Sequence, residues 1–349
     1  MKNPKFLTFF VTNACNAQCP HCFNWKETPI GELTLKEIKK IDFTDVKNVA
    51  LTGGEPTIRK DLKEICLHIS KYVNNIAICS NGLLTKPLLD ISNSIKNITF
   101  QISIDGTEKI HDKLRGKGAY KRVMKTLKSI PFSKTTIVTT ISKVNKDNID
   151  KFIFTLNKDL FKEEKIPVNI NIIRGNAHVF NLPKDVSYYH NPRIDEILLS
   201  LEEVKEIYKK LSDLDKKYRF WQKNNRLVNR YIIKILEEKK KMFKCYAGYL
   251  EGILHSNGDI SFCEYTKPFA NLRDFDYDLN KLWNSSQAYE MRKKINSCFC
   301  IHPCNLLTTL VRSPHVFKFF PFIIKDKLKK VIRKRKNILR TQEKTKKQD

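Results

Sequence analysis

The chain has 349 residues and a mass of 40.9 kDa. Because a single hydrophobic core stops growing at roughly 250–300 residues, we expect one large core with a smaller module. The formal net charge of +28 would suit nucleic acid or a membrane surface. Lysine is spread along the whole chain, however, so nucleic acid is not an expected partner. No stretch reaches the roughly 20 apolar residues that span a bilayer, which argues against a transmembrane helix.

The first residues raise the question of an export signal. Lysines precede the apolar run Phe6–Val11, and Cys15 stands where a lipoprotein signal would end. The run is at the lower length limit for such a signal, and Asn13 occupies a position where a small residue belongs. Cleavage would also leave Cys19 and Cys22 unexplained. We therefore expect a cytoplasmic protein.

Six short apolar runs alternate with amphipathic stretches between residue 4 and about residue 175. The runs are rich in β-branched and aromatic residues, as buried parallel strands are. Six βα units in succession predict an α/β fold with a parallel sheet, either doubly wound or a partial barrel. The predicted strands are Phe6–Val11, Val46–Leu51, Ile76–Cys79, Ile98–Ile104, Thr136–Ile141 and Val168–Ile173. The predicted helices are Leu35–Ile41, Asp61–Tyr72, Lys86–Ile95, Tyr120–Ile130 and Ile149–Leu160.

The remaining chain changes character twice. Residues from about 195 to 242 are helical in pattern and rich in Leu, Ile, Lys and Glu. From Cys245 to Cys304 the pattern becomes short strands with turn residues, and an apolar then basic tail follows. We predict a core at 1–190, a helical connector at 191–244, a small cysteine-bearing domain at 245–305 and a tail at 306–349.

The ten cysteines fall largely into two close groups, which indicates metal binding in a reducing compartment rather than a disulfide framework. Cys15, Cys19 and Cys22 follow the first predicted strand directly. Thiolates are the soft ligands of iron–sulfur clusters, and three of them hold three irons of a cube while the fourth stays open. A zinc site is the alternative, but a closed zinc site needs four ligands and only His21 is nearby.

This Cys-x3-Cys-x2-Cys loop resembles that of the radical S-adenosylmethionine (SAM) superfamily. The resemblance covers about residues 4–175 and implies a partial (β/α)6 TIM-like barrel. It implies a [4Fe–4S] cluster whose open iron is chelated by SAM. It further implies reductive cleavage of SAM to a 5′-deoxyadenosyl radical, which abstracts hydrogen from a substrate.

Further motifs follow the second, third and fourth predicted strands, at the edge where parallel α/β enzymes collect their active-site loops. A glycine pair lets backbone approach a ligand closely, and a carboxylate beside it can accept a bond from an ammonium group. The resemblance places the glycine turn against the methionine amino group, and it implies SAM contacts for Ser103 and Arg115. The residues assigned to SAM binding are Gly53, Gly54, Glu55, Ser80, Asn81, Ser103, Asp105 and Arg115.

The C-terminal cysteines resemble an auxiliary-cluster module of the SPASM or twitch type. That likeness implies a second [4Fe–4S] cluster. A structural zinc site with the same ligands fits the spacing as well. The expected ligands are Cys245, Cys263, Cys300 and Cys304, with Cys298 as the alternate.

Glu264 follows Cys263 directly. In peptide-modifying relatives an acidic residue at this place acts as a base near the substrate, and this resemblance implies the same catalytic role for Glu264. The alternative is an ordinary exposed glutamate after a strand.

The expected substrate is a peptide or protein side chain, and a sugar or lipid precursor is the alternative. We expect a flavodoxin- or ferredoxin-type electron donor. A rival of another class is a non-catalytic iron–sulfur or zinc protein that binds a partner, but it leaves Gly53, Ser103 and Arg115 unexplained. The aromatic segment at 317–323, beside a basic run at 325–347, could touch a membrane surface or dock on its own domain.

Overall fold

The computed structural model describes residues 3–22, 28–160, 166–188, 193–221, 223–310 and 312. Within these ranges the side chains of residues 193, 223–226, 304 and 305 are not described. The predicted aromatic and basic tail therefore lies outside the described residues, as does the side chain of Cys304.

Nine strands form one sheet within the described residues, in the order β10-β9-β8-β1-β2-β3-β4-β5-β6. Their inward side chains, such as Phe9, Leu51, Ile78 and Phe100, are fully buried. The described residues contain eleven strands, of which β7 and β11 form a separate two-stranded sheet. The strands are β1 (Phe6–Thr12), β2 (Asn48–Gly53), β3 (Asn75–Ser80), β4 (Ile98–Ser103), β5 (Thr135–Ile141), β6 (Val168–Ile172), β7 (Val179–Phe180), β8 (Glu251–Leu254), β9 (Asp259–Ser261), β10 (Ala270–Asn271) and β11 (Phe299–Cys300).

The strands β1 to β6 are parallel, and each one pairs with the next in the chain. A doubly wound sheet reverses its strand order at a switch point, whereas a barrel runs in chain order. The sequential order therefore favours the barrel alternative. The free edge of β1 is taken by β8, also in parallel, so β1 does not close a ring with β6.

Helices alternate with these strands as predicted. Two differences stand out: the first helix ends at Ile38 rather than Ile41, and a helix not predicted from the sequence spans Glu108–Arg115. Thr34 and Glu37 form a capping box that starts the first helix. The helices are α1 (Leu35–Ile38), α2 (Leu62–Ile69), α3 (Thr85–Ser94), α4 (Glu108–Arg115), α5 (Ala119–Ser129), α6 (Ile149–Leu160), α7 (Arg193–Glu196), α8 (Leu201–Tyr218), α9 (Lys223–Glu238), α10 (Leu279–Trp283), α11 (Ser286–Lys294) and α12 (Pro303–Leu310).

The C-terminal region is joined to the barrel by backbone pairing. Strand β8 lies beside β1 in the register Phe6↔Glu251 to Phe9↔Leu254, and β9 folds back antiparallel on β8. A second contact pairs β11 with β7, which follows the sixth barrel strand. The sheet thus crosses the predicted boundary at residue 245, and the division into domains stays a prediction. None of the helices within the described residues is both long and apolar enough to cross a membrane.

Candidate active site at the carboxyl ends of the parallel strands

The loop after β1 brings three cysteines into one small cluster. Cys19 is buried beside Leu83 and Ala119, and Cys15 and Cys22 pack against the same group. The backbone N–H of Cys22 donates to the carbonyl of Cys19 at 3.1 Å, which closes a turn between them. The predicted trio therefore lies together, at the edge of the sheet where the other motifs also end.

The environment of these thiols suits a bound metal group, whose positive charge would keep them ionised as thiolates. Burial raises the pKa of Cys15 and of Cys19, and the Arg115 guanidinium acts in the opposite direction on both. A buried thiol of raised pKa ionises when a metal ion supplies the compensating charge. Three thiols in one loop leave one corner of an iron–sulfur cube without a protein ligand from this trio. The residues present thus fit the expected cluster.

The two glycines after β2 press against the start of the cysteine loop. A Cβ atom on Gly53 would lie 2.0 Å from the Thr12 carbonyl oxygen, and one on Gly54 would lie 2.0 Å from that of Ala14. The N–H groups of Gly54 and Glu55 donate to these same two carbonyls, each at 2.8 Å. The absence of side chains is therefore required by the cysteine loop itself, a packing reason that the sequence did not reveal.

The Glu55 carboxylate joins the ends of two strands. It accepts bonds from Thr57 N–H at 3.0 Å and Thr57 Oγ1 at 2.6 Å, from Ser80 Oγ at 2.8 Å and from Asn81 N–H at 2.7 Å. Burial raises the pKa of Glu55, and these hydrogen bonds oppose the rise. Four bonds to one carboxylate make Glu55 a brace between β2 and β3. A direct contact between Glu55 and a cofactor ammonium stays a prediction.

The loop after β3 also holds the cysteine loop. The Asn81 side-chain amide donates to Asn16 Oδ1 at 2.8 Å, and its own oxygen accepts from Leu83 N–H at 3.0 Å. Asn16 lies between the first two cysteines of the loop. Asn81 therefore fixes the loop from the third strand, as the glycine turn does from the second.

The end of β4 carries a buried ion pair. Arg115 Nε donates to Asp105 Oδ2 at 2.6 Å, and Thr140 N–H donates to the other carboxylate oxygen at 2.9 Å. Burial acts to raise the pKa of Asp105, but Arg115, His21 and the bond from Thr140 together outweigh it and lower that pKa. Ser103 ends the same strand and is partly buried. The assigned residues at the ends of β3 and β4 thus lie at the same edge of the sheet as the cysteine loop. Arg115 on α4 lies at this edge as well.

Two supporting residues, Glu32 and Arg59, were missed in the sequence, and a third, His21, was considered there only as a zinc ligand. Glu32 accepts bonds from Thr12 Oγ1 at 2.9 Å and from Asn13 N–H at 2.7 Å. Arg59 donates to the carbonyl of Val11 at 2.5 Å. Glu32 and Arg59 therefore both fix the end of β1. The His21 imidazole lies 3.7 Å from Asp105. Glu32 and Arg59 belong to no recognisable motif, whereas His21 lies inside the cysteine motif itself.

Four of the five C-terminal cysteines line one apolar pocket between β7, α9 and the C-terminal strands. Burial raises the pKa of Cys298 to about 12 and raises that of Cys245, Cys263 and Cys300 as well. As in the first loop, such thiols fit a metal group that supplies positive charge. Among the described residues no three His, Cys, Asp or Glu side chains are arranged to hold a single metal ion. The pocket-lining cysteines are Cys245, Cys263, Cys298 and Cys300.

The Glu264 carboxylate contacts two basic side chains. Its Oε1 lies 3.0 Å from Arg174 Nη1 and 3.1 Å from His302 Nε2. Arg174 follows β6, at the same edge as the other motifs, whereas His302 lies between the last two cysteines. The sequence reasoning missed both partners, although the position of Arg174 just after a barrel strand was a usable signal. Glu264 therefore sits where the barrel meets the cysteine-bearing module.

Comparisons with known proteins assign part of the chain to a known family. Residues 9–157 match the family described as the Radical SAM superfamily. The sporulation killing factor maturation protein SkfB of Bacillus subtilis (strain 168) is 32% identical over 155 residues, or 42% of this chain and 38% of that protein. The mycofactocin maturase MftC of Mycolicibacterium smegmatis is 29% identical over 160 residues, or 43% of this chain and 41% of that protein. The chain thus spans about two fifths of the length of these curated relatives.

Solved structures share the fold over most of the chain. Streptococcus suis SuiB bound to precursor peptide SuiA gives a TM-score of 0.63 at 17% identity, covering 88% of this chain and 71% of that one. Native anSMEcpe with bound AdoMet and Cp18Cys peptide gives 0.60 at 15% identity, covering 82% of each chain. These likenesses confirm the expected partial barrel. The family match shows that residues 9–157 form a domain of the radical SAM superfamily, which marks the chain as an enzyme.

Proposed function

We propose that the protein reductively cleaves SAM at a [4Fe–4S] cluster held by Cys15, Cys19 and Cys22, and that it abstracts hydrogen from a peptide or protein side chain. The observation that carries this proposal is the cysteine loop, which lies inside the matched domain and is held by the ends of the neighbouring strands. Cys15, Cys19 and Cys22 would hold the cluster, which with SAM at its open iron would supply the electron for reductive cleavage of the C5′–S bond.

The chain's own residues bind and orient the reactants. The three thiolates hold the cluster, and the glycine turn and Asn81 fix the loop that carries them. Arg115 lies close enough to Cys19 for its charge to act on that thiol, so its guanidinium is placed for an anionic group beside the cluster. We assign to Arg115 and Ser103 the contacts with SAM that the superfamily resemblance implies.

A test of cofactor binding uses anaerobically reconstituted protein. We expect about four iron atoms and four sulfides for each cluster, and an electron paramagnetic resonance signal of the reduced N-terminal cluster that changes when SAM is added. Cys19→Ala should remove that response. A wild-type chain that takes up zinc but no iron would contradict the proposal and favour a non-catalytic zinc protein.

The second proposal is an auxiliary [4Fe–4S] cluster at the C-terminal cysteines. Its support is the convergence of Cys245, Cys263, Cys298 and Cys300 on one buried pocket. Cys304 would complete the set that the resemblance implies. In Cys15→Ala/Cys19→Ala/Cys22→Ala protein the iron that remains should be lost on a further Cys263→Ala substitution. Zinc in its place would establish the alternative, a structural zinc site.

Glu264 is the proposed base near the substrate. Its contacts with Arg174 and His302 support a fixed carboxylate between barrel and auxiliary module. Glu264→Gln should abolish product formation while SAM is still cleaved to 5′-deoxyadenosine. Product formation at the wild-type rate would remove the assignment.

A peptide substrate is supported by the relatives, since SkfB and MftC are maturation enzymes by name and SuiB is solved with a precursor peptide. Short peptides encoded beside the gene are the probes. We expect one of them to change mass and to raise 5′-deoxyadenosine formation above the uncoupled rate. A response only to a sugar or lipid precursor would favour the alternative.

Two further partners are proposed. The reductant is an acidic flavodoxin or ferredoxin, which the basic chain would attract. We also propose that the enzyme is cytoplasmic. Its C-terminal tail contacts an anionic membrane surface. Sedimentation with anionic liposomes should be stronger for the full chain than for a chain that ends at residue 310, and equal sedimentation would contradict the membrane proposal.

A further inference from the structure

The ion pair between Asp105 and Arg115 is buried beside the cysteine loop. Arg115 Nε donates to Asp105 Oδ2 at 2.6 Å, and the two side chains are only 12% and 1% exposed. Thr140 N–H donates to the second carboxylate oxygen, and the Asp105 N–H donates to His111 Nδ1 at 3.1 Å. The carboxylate is therefore fixed in place, and it fixes the guanidinium in turn.

The pair lies against the loop that carries the three cysteines. Asp105 Oδ2 is 3.7 Å from Nε2 of His21, which lies between Cys19 and Cys22. His21 is adjacent to Cys22 and two residues from Cys19, so the ion pair lies beside the ligands themselves. Two opposite and fixed charges thus adjoin the same metal-binding loop.

We propose that Asp105 and Arg115 form a charge-balancing pair that sets the reduction potential of the cluster held by this loop. The inference rests on the proposed function, because it requires an iron–sulfur cluster there. Asp105 is in this account a positioning and electrostatic residue, beyond any contact of its own with SAM.

The sign of each contribution follows from electrostatics. A reduced cluster carries one more negative charge than an oxidised one, so a nearby positive charge favours reduction and raises the potential. A nearby carboxylate lowers it. Because Asp105 and Arg115 are buried, salt and water screen them far less than they screen surface charges. Removing one member of the pair therefore exposes the cluster to the full charge of the other.

The test is a redox titration of the N-terminal cluster without SAM, followed by electron paramagnetic resonance. Asp105→Asn should raise the midpoint potential and Arg115→Gln should lower it, while the double variant should lie between the two. Arg115→Lys keeps the charge and should stay near the wild type. A purely structural role would not shift the potentials of the two single variants in opposite directions. Each single variant tests the predicted direction for its own residue.

Asp61→Asn is the matched control. Asp61 pairs with Arg59 at 2.7 Å in the same Nε-to-carboxylate manner, but it is 32% exposed, so its removal should leave the potential unchanged. Unmoved potentials in Asp105→Asn and Arg115→Gln, or shifts of the same sign, would overturn this inference alone. A wild-type chain that assembles no redox-active cluster would instead overturn the proposed function on which the inference rests.

Discussion

At the scale of single residues, buried hydrogen bonds decide how the site is held. Glu55 shows this most clearly, because four donors from Thr57, Ser80 and Asn81 converge on one carboxylate that is 1% exposed. The motif in the sequence predicted a contact between Glu55 and SAM. It could not reveal the bonds from Ser80 and Asn81, which lie 25 and 26 residues further along the chain.

Replacing Glu55 by Ala should lower the free energy of unfolding by about 3 kcal/mol or more, because several buried donors lose their acceptor. Chemical denaturation of the wild-type and variant chains measures this change. Glu64→Ala, an exposed carboxylate on the neighbouring helix, is the control and should change stability by about 0.5 kcal/mol or less. Equal losses for the two variants would contradict the role of Glu55 as a brace.

At the scale of elements, the cysteine loop depends on the turn after β2. Gly54→Ala should lower the iron content by up to about four atoms per chain, the content of one [4Fe–4S] cluster, because the new Cβ would lie 2.0 Å from the Ala14 carbonyl oxygen and must displace the loop. Iron per chain after reconstitution is the measurement. Gly118→Ala is the control: its positive φ of 77° makes it strained, with a cost of about 1 kcal/mol, but a Cβ there meets open space. If both variants bind iron normally, the loop does not depend on this contact.

The elements also show what the sequence could and could not predict. Each of the six barrel strands was predicted from its β-branched run, because strands with one buried and one partly buried face leave a strong local pattern. Helix α4 was missed, since Glu108–Arg115 carries five charged residues and few apolar ones. The pairing of β8 with β1 was not foreseen either, because contacts between segments over 240 residues apart leave no local signal.

At the scale of the whole molecule, an ion pair joins the barrel to the C-terminal region. Arg273 Nε donates to Glu37 Oε1 at 2.7 Å, and the Tyr277 hydroxyl donates to the same oxygen at 2.9 Å. Arg273 also donates to the carbonyl of Gly31 at 3.0 Å. This network holds α1 against the segment that follows β10, so it complements the strand pairing between β1 and β8.

The same network makes a pH-dependent contribution to stability. The hydrogen bond from Arg273 is the main cause that lowers the pKa of Glu37 to about 2. Because the pKa is lower in the folded state, the stabilisation is present above the unfolded value near 4.5 and is lost as pH falls towards 2. Glu37→Gln should cost about 1 kcal/mol at pH 7, since the pair is partly solvated.

Urea denaturation of metal-free protein at several pH values measures this difference. The gap between wild type and Glu37→Gln should narrow as pH falls from about 4.5 to about 2. Arg273→Gln should show the same behaviour, and the double variant should lose little more than either single one. A gap that stays constant with pH would contradict the assignment to the ionised carboxylate.

The central claim is that the loop of Cys15, Cys19 and Cys22 holds a cluster that cleaves SAM. The most direct measurement is 5′-deoxyadenosine, quantified by chromatography after anaerobically reconstituted protein is incubated with SAM and dithionite. We predict steady formation by the wild-type chain and none above the protein-free background for Cys19→Ala. A wild-type chain that carries its iron and is reduced, yet leaves SAM intact, would contradict the account.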